Sequence, residues 1–151
     1  MNTLLVKNKK AELNFEILNK IEAGISLFGF EVKSLKAQQG SFADSFVTIS
    51  NGEVFLKNFY IPPFQEKNTP AGYDKYRDRK LLIHKKEIRQ LEKKLKEAGK
   101  TLIPLEFYSQ NGKIKLLFAL ASGLKKHDKR EKLKEKAIKR DMERSLKNLR
   151  F

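Results

Sequence analysis

Three clusters of basic residues are the groups in this sequence best suited to chemistry. They lie near the start of the chain, after a long central loop, and near the C-terminal end: Lys7, Lys9 and Lys10; Lys75, Arg77, Arg79 and Lys80; Lys125, Lys126, Lys129 and Arg130. Cationic side chains engage phosphates, and nearby rings such as Tyr73, Tyr76 and His127 can stack on unpaired bases. The pattern favours RNA as the partner. A solubilising surface for each cluster alone, and membrane binding through the last cluster, are the alternatives.

Candidate catalytic groups are scarce. The two histidines, His84 and His127, lie far apart, and neither has the neighbours of a nucleophile, a general base or a metal site. His84 is therefore predicted to cap a helix or to face RNA. The sequence has no Gly-rich phosphate loop, and its lack of Cys excludes disulfides and Cys-ligated metals. These features predict a non-enzymatic protein with no cofactor and no metal.

The positive charge is concentrated toward the C-terminus. The chain has 151 residues and a formal net charge of +15. The first 120 residues carry 21 basic and 13 acidic residues, whereas the last 31 carry 12 and 5. The length allows one domain plus a tail, and we divide the chain into a folded part, 1–123, and a basic tail, 124–151. The N-terminus fits neither a signal peptide nor a membrane span, so we expect a cytoplasmic protein.

Turn chemistry predicts two β-hairpins. Residues 46–50 and 53–56 flank Asn51-Gly52, while 105–110 and 113–120 flank Asn111-Gly112. Asn-Gly is the preferred pair for a type I′ turn. Alternating apolar residues predict a further strand over 13–21, which makes about five strands.

Two helices and a long loop complete the folded part. Apolar spacing and Gly99 as a stop signal predict a helix over 85–98, and a shorter helix is predicted around 30–38. The segment between Ile61 and Tyr76 reads as a loop. Short strands with Gly-containing turns favour a mainly β fold, an OB-like antiparallel β-barrel with flanking α-helices.

The tail from Lys129 to Phe151 has a thin apolar stripe at helical spacing: Leu133, Ala137, Met142, Leu146 and Leu149. A single helix without packing partners is marginal in water. We therefore expect the tail to be disordered in the free protein and helical on docking. The alternative is a helix packed permanently on the barrel.

Several blocks, in order and spacing, make the chain resemble a known family. They are Asn8-Lys9-Lys10-Ala11, Glu22-Ala23-Gly24-Ile25, Gly29-Phe30-Glu31-Val32-Lys33-Ser34-Leu35, Asp44-Ser45-Phe46, Arg77-Asp78-Arg79-Lys80-Leu81-Leu82-Ile83-His84-Lys85, Ile103-Pro104-Leu105 and His127-Asp128-Lys129-Arg130-Glu131. The sequence resembles the bacterial transfer-messenger RNA-binding proteins, the small protein B or SsrA-binding protein family. The resemblance covers about Asn8 to Arg144.

The resemblance implies an OB-type barrel that acts in trans-translation, the rescue of stalled ribosomes. It implies two partners, transfer-messenger RNA and the stalled ribosome with its small-subunit ribosomal RNA, and neither a membrane nor a small-molecule substrate. A general ribosome-associated RNA chaperone and a nuclease are the rival functions. A chaperone would not prefer the transfer RNA-like domain, and a nuclease would need a metal or an acid/base centre.

Site residues follow from the resemblance and from the basic clusters together. The resemblance implies RNA contacts at Asn8, Lys9, Glu22, Leu82 and Lys115, and the clusters with His84 add Lys10, Arg77, Arg79 and Lys80. Leu82 either packs on a base or lies in the core. The tail motif, which would act in the ribosomal decoding region, comprises His127, Asp128, Lys129 and Arg130.

Overall fold

The computed structural model describes residues 2–65, 67, 69–123 and 126–148. These residues form seven strands and four helices in the order β1 (Asn2–Lys7), α1 (Ala11–Asn14), β2 (Phe15–Ile25), α2 (Gly29–Lys36), β3 (Phe46–Ser50), β4 (Glu53–Lys57), β5 (Arg79–Leu82), α3 (Lys85–Leu95), β6 (Lys100–Gln110), β7 (Lys113–Gly123) and α4 (Lys126–Asn148).

All seven strands belong to one antiparallel sheet with the order β1-β6-β7-β2-β5-β4-β3. Strands from both ends of this order contribute to one apolar core, for example Leu5 of β1 and Val47 of β3. The sheet must therefore curl around that core. Its hydrogen-bond ladder ends at β1 and β3, so the barrel stays open along one side. The predicted OB-like, mainly β architecture with flanking helices is confirmed in this open form.

Local turn chemistry placed both hairpins correctly. Asn51 and Asn111 have φ values of 52° each, and the glycines that follow them have φ values of 74° and 77°. Two positive φ values in succession define the type I′ turn, which only residues such as Asn and Gly adopt readily. Both hairpins pair directly through these turns, β3 with β4 and β6 with β7.

Several element boundaries differ from the sequence-based predictions. The strand predicted over 13–21 is β2, Phe15–Ile25, and Leu13 lies in the short helix α1. The helix predicted over 85–98 ends at Leu95. Two strands were not predicted: β1, in which only Leu5 is buried, and β5, which begins with two cations. Neither strand shows the apolar alternation by which a strand is recognised.

Strand β7 is buried on both faces along its second half. Leu116, Phe118 and Leu120 belong to the main core, whereas Ala119 and Ala121 pack in a second apolar cluster with Ile103, Leu105 and Ala11 of α1. This double burial explains the continuous apolar run at the end of the strand. Helix α1 and strands β6, β7 and β2 therefore form a stiff half of the fold.

Candidate nucleic-acid interface

Five residues predicted for RNA binding line one cleft of about 600 Å³ on the outer face of the sheet: Glu22, Lys80, Leu82, His84 and Lys115. They come from three adjacent strands, β7, β2 and β5, and from the start of α3. Gly24 of β2 pairs with Lys115 on one side and with Leu82 on the other. Residues directly opposite each other in an antiparallel pair share a face, so this register brings the side chains together.

Strand alternation explains why these side chains point outward. Their neighbours Ala23, Leu81 and Leu116 are turned into the core. Leu82 is 55% exposed, which excludes the reading of this residue as a core leucine. Gly24 leaves room for it, because a Cβ atom there would lie only 3.3 Å from Leu82 Cβ.

Glu22 is held by a residue that sequence reasoning missed. The phenol of Tyr108, only 6% exposed, donates a hydrogen bond to the Glu22 carboxylate. Burial, together with this bond to an anion, raises the pKa of Tyr108 far above its ordinary value, so the phenol stays protonated as a donor. Tyr108 is opposite Lys115 in the β6–β7 pair. The pairing register of these two strands was therefore the signal that could have identified Tyr108 as a neighbour of the site.

His84 occupies the N-cap position of α3, but its side chain makes no capping hydrogen bond. The imidazole is exposed beside the cleft. The structure thus leaves the side chain available to a ligand, in agreement with the second of the two roles predicted for it.

Asn8, Lys9 and Lys10 line a different cleft, of about 730 Å³, at the junction of β1 and α1. Asn8 is tied to β6: its backbone N–H donates to the Leu105 carbonyl at 2.8 Å, and its side-chain amide donates to the Pro104 carbonyl at 2.8 Å. Lys9 and Lys10 are exposed. The two clefts share no lining residue, and Arg77 and Arg79 line neither of them, so the predicted RNA-binding residues are divided among separate areas of the described fold.

Arg79 is not available to RNA, which corrects its prediction as an RNA-binding residue. Its side chain is fully buried. It donates to Glu31 Oε2 at 2.8 Å, to the Tyr73 hydroxyl at 3.0 Å, and to the carbonyls of Phe59 and Lys75. The sequence of β5 does not show whether its arginine is buried or exposed, because the burial depends on a carboxylate from α2.

Glu31 is the centre of this network. Burial by itself raises the pKa of Glu31, but hydrogen bonds from Arg77 and from the Phe28 backbone, with the charge of Arg79, outweigh burial and lower the pKa. Tyr73 donates its hydroxyl to Glu31 Oε2 at 2.8 Å, and burial together with this bond raises the pKa of Tyr73 to about 12. The network fastens the loop between β4 and β5 to α2.

Arg77 is partly available. Its side chain is 24% exposed and forms an ion pair with Glu31. Lys80, in contrast, is exposed and has one exposed partner, Glu53 at 3.4 Å. Of the four residues in the central basic cluster, Arg79 is structural, Arg77 is fixed at the surface, and Lys75 and Lys80 are exposed.

The tail motif lies at the start of α4. The backbone of His127, Asp128, Lys129 and Arg130 is helical, and the Arg130 side chain is exposed. The structure describes a helix, α4, over Lys126–Asn148, which overlaps the stretch with helical spacing, Lys129 to Phe151, while Leu149 and Phe151 lie outside the described residues. The disorder expected of the free tail stays a prediction. From Arg130 to Leu146 every side chain that the structure describes is exposed, including Ile138 and Met142.

This exposure leads to a prediction about the free protein. A helix whose apolar stripe stays more than half exposed gains little from tertiary packing, and ordering costs about 1–2 kcal/mol per residue. We expect fast amide exchange across 133–148 in the free protein, against strong protection in β7. Protection in α4 comparable to that of β7 would show that the helix is permanently formed and would contradict the expected disorder of the free tail.

Two further kinds of site are absent from the described residues. No group of three or more His, Cys, Asp or Glu side chains is placed to hold a metal ion in the part of the chain that the structure describes. Among the same residues, no helix has both the length and the apolar run that a membrane crossing needs.

Comparison with known proteins gives consistent matches. The family model of the SmpB protein matches residues 5–148. An SsrA-binding protein of Aquifex aeolicus is 50% identical over 95% of this chain and 91% of its own length. One of Thermosynechococcus vestitus is 45% identical over 95% of both chains. A chain of the solved structure "tmRNA-SmpB: a journey to the center of the bacterial ribosome" has 44% identity and a TM-score of 0.65, over 83% of this chain and 91% of its own length.

Proposed function

The chain belongs to the SmpB protein family, and on this premise we propose that it binds the transfer RNA-like domain of transfer-messenger RNA through the cleft around Leu82. It is a non-enzymatic factor of trans-translation that delivers this RNA to stalled ribosomes in the cytoplasm. The relatives are SsrA-binding proteins, and the solved structure concerns tmRNA, SmpB and the ribosome. Both support the same partners for this chain.

The observation that carries the proposal is the composition of the cleft. The exposed Leu82 lies among basic and acidic side chains that line one opening. The basic ones are Lys80, Lys85, Lys115 and His84, and the acidic ones are Glu22, Glu53 and Glu87. Lysines engage phosphates, and Glu22 can accept hydrogen bonds from base or ribose donors. Leu82 offers apolar surface to a base. Cations alone would suit any polyanion, but the added acceptor and leucine suit a particular RNA surface.

We also propose that the chain has two functional parts. Residues 1–123 bind the RNA, and residues 124–151 engage the decoding region of the small subunit. The candidate RNA contacts all lie between Asn8 and Lys115, on or beside the sheet. The tail motif lies on α4 beyond the sheet, and the described side chains from Arg130 to Leu146 are exposed. This exposure suits a segment that docks on a second partner.

Competition binding tests the proposed function. Labelled transfer RNA-like domain is bound to the full-length protein and displaced by the same unlabelled RNA or by a hairpin of equal length. The two competitors carry the same number of phosphates, so charge alone cannot distinguish them. We expect the hairpin to compete at least tenfold more weakly. Equal competition would identify a general RNA-binding protein instead.

Salt dependence gives a second prediction. If about five phosphates are neutralised, log affinity falls with log salt at a slope of roughly −3.5 to −4.5. Replacing the exposed Lys9 by Ala is expected to make the slope shallower by about 0.7–0.9. Lys93→Ala, on the exposed face of α3, is the matched control and should leave the slope unchanged. A flat salt response of the wild type would remove the role assigned to the basic clusters.

A further inference from the structure

Phe28 is an exposed aromatic side chain with a fixed cation on its ring. It lies between the end of β2 and the start of α2 and is 50% exposed. The guanidinium carbon of Arg77 lies 4.0 Å from the ring centroid. A guanidinium placed at this distance over an aromatic ring forms a cation–π pair.

The guanidinium of Arg77 is held in place by protein acceptors. Its Nε donates to Glu31 Oε2 at 3.2 Å and its Nη2 donates to Glu31 Oε1 and to the Ser26 carbonyl. Its Nη1 donates to the Asp78 carbonyl at 3.3 Å. All but one of its N–H donors are therefore used. The guanidinium therefore cannot form a bidentate pair with a phosphate, but its flat face and its positive charge remain available to a ligand.

The ring of Phe28 is held as firmly as the guanidinium. The backbone N–H of Phe28 donates to Glu31 Oε1 at 2.8 Å, so the same buried carboxylate positions both members of the pair. Phe30 is stacked on the ring with a centroid distance of 5.6 Å and an interplanar angle of 30°, and Tyr73 packs edge-on against Phe30 at 4.7 Å. This pre-organisation lowers the conformational entropy that a ligand would otherwise have to remove.

The pair is continuous with the cleft around Leu82. Ser26, whose carbonyl accepts from Arg77, donates its own backbone N–H to the Lys80 carbonyl at 3.0 Å. Phe28 is four residues beyond Gly24, which pairs with Leu82, so the two features are separated by at most about 14 Å along the chain. A few nucleotides span that length, at about 3.4 Å per stacked step of one strand.

We propose that Phe28 and Arg77 form a stacking platform for an unpaired base of the RNA bound in the cleft. This inference rests on the proposed function and adds a recognition element to it. An arginine whose donors are satisfied and an exposed ring suit the face of a base, because both offer π surface and neither requires a particular base edge. Two exposed cations close to Arg77 in sequence, Lys75 and Lys80, favour a nucleic acid over an apolar protein segment.

The test replaces the aromatic ring by an aliphatic side chain that keeps the apolar character of the position. Phe28→Leu is expected to weaken binding of the transfer RNA-like domain about tenfold, within the range for one base stacked on an aromatic side chain. Phe28→Tyr keeps the ring and should bind as the wild type does. Urea unfolding of both variants verifies that the network at Glu31 is intact. Leu18→Ala, an equally exposed apolar residue at the other end of β2, should also leave the affinity unchanged.

Salt titration separates stacking from phosphate binding. Phe28→Leu should weaken the affinity equally at every salt concentration, with the wild-type slope, because no phosphate contact is lost. Lys80→Ala should make the slope shallower by about 0.7–0.9. A changed slope for Phe28→Leu, or an unchanged affinity, would overturn the platform.

A third outcome separates the platform from the proposed function. If Phe28→Leu retained full RNA affinity but bound ribosomes more weakly, the ring would contact a ribosomal component, and the base-stacking role would be wrong. Failure of the wild type to prefer the transfer RNA-like domain in the competition experiment would instead refute the proposed function itself.

Discussion

Replacing Glu31 by Gln is expected to lower the free energy of unfolding by about 3–5 kcal/mol, because it leaves Arg79 as a buried charge without its anion. Glu31 and Arg79 are both fully buried, and their ion pair measures 2.7 Å. The same substitution replaces one of the two carboxylate oxygens with an NH2 donor. Either the donors on Oε1, the Phe28 backbone and Arg77 Nη2, or the donors on Oε2, which include Tyr73 and Arg79, then lose their acceptor. Urea denaturation measures the effect as a lower midpoint with an unchanged slope.

Glu53→Gln is the matched control. Glu53 pairs with Lys80 at 3.4 Å, but both side chains are about half exposed. Exposed pairs contribute about 0–1 kcal/mol, so this variant should unfold almost as the wild type does. Equal, small losses for Glu31→Gln and Glu53→Gln would show that the network contributes little and that α2 is held to the sheet by apolar packing alone.

The pH dependence of the free energy of unfolding tests the role of the same carboxylate independently. Because the pKa of Glu31 in the folded protein is lowered from 4.5, the unfolded chain binds the proton more readily. The stabilisation is complete above that ordinary value and is lost as the pH falls through the lowered pKa of the folded state. Glu31→Gln should therefore lose less stability than the wild type between neutral and acidic pH.

The second large effect concerns the tail. Replacing Asp128, Lys129 and Arg130 together by Ala is expected to abolish peptide tagging on stalled ribosomes while RNA affinity persists. The tail motif is on α4, whereas the proposed RNA contacts come from residues 8–115, so its loss is expected to remove a second partner and not the first. Tagging in a reconstituted translation system and binding of the transfer RNA-like domain give the two readouts.

Truncation after Gly123 separates charge from specific contact. It removes net positive charge, so affinity for the transfer RNA-like domain should fall, but by no more than about tenfold, or 1.4 kcal/mol. A thousandfold loss would mean that the tail binds this RNA directly. Full tagging activity of the triple alanine variant would equally contradict the proposed division between 1–123 and 124–151.

The sequence predicted those parts of the fold that depend on neighbours in the chain. The two Asn-Gly hairpins, α2 and the helical tail follow from local turn chemistry and periodicity. Strand β5 could not be found in this way, because Arg79 occupies a buried position where a strand usually has an apolar residue. Its burial requires Glu31, 48 residues away in sequence, and a sequence pattern does not indicate which distant carboxylate will meet which arginine.

The site residues likewise divide into those that the sequence indicated and those that only the three-dimensional fold brings together. Glu22, Leu82 and Lys115 were identified through the resemblance to a family, and the sheet register then explains why they share a cleft. Tyr108 and Phe28 belong to no basic cluster and were not among the predicted contacts. Their relevance depends on contacts to Glu22 and Arg77 across the fold, which only the three-dimensional arrangement reveals.

The identity of the RNA that co-purifies with the protein tests the central claim most directly. Wild type, Leu82→Glu and Leu18→Glu are purified from the same cells, and the bound RNA is sequenced. Both leucines are exposed, so both variants should fold, but only Leu82→Glu places a negative charge in the cleft. We predict enrichment of transfer-messenger RNA with the wild type and with Leu18→Glu, and its loss with Leu82→Glu. The same RNA on all three proteins would contradict binding through the cleft.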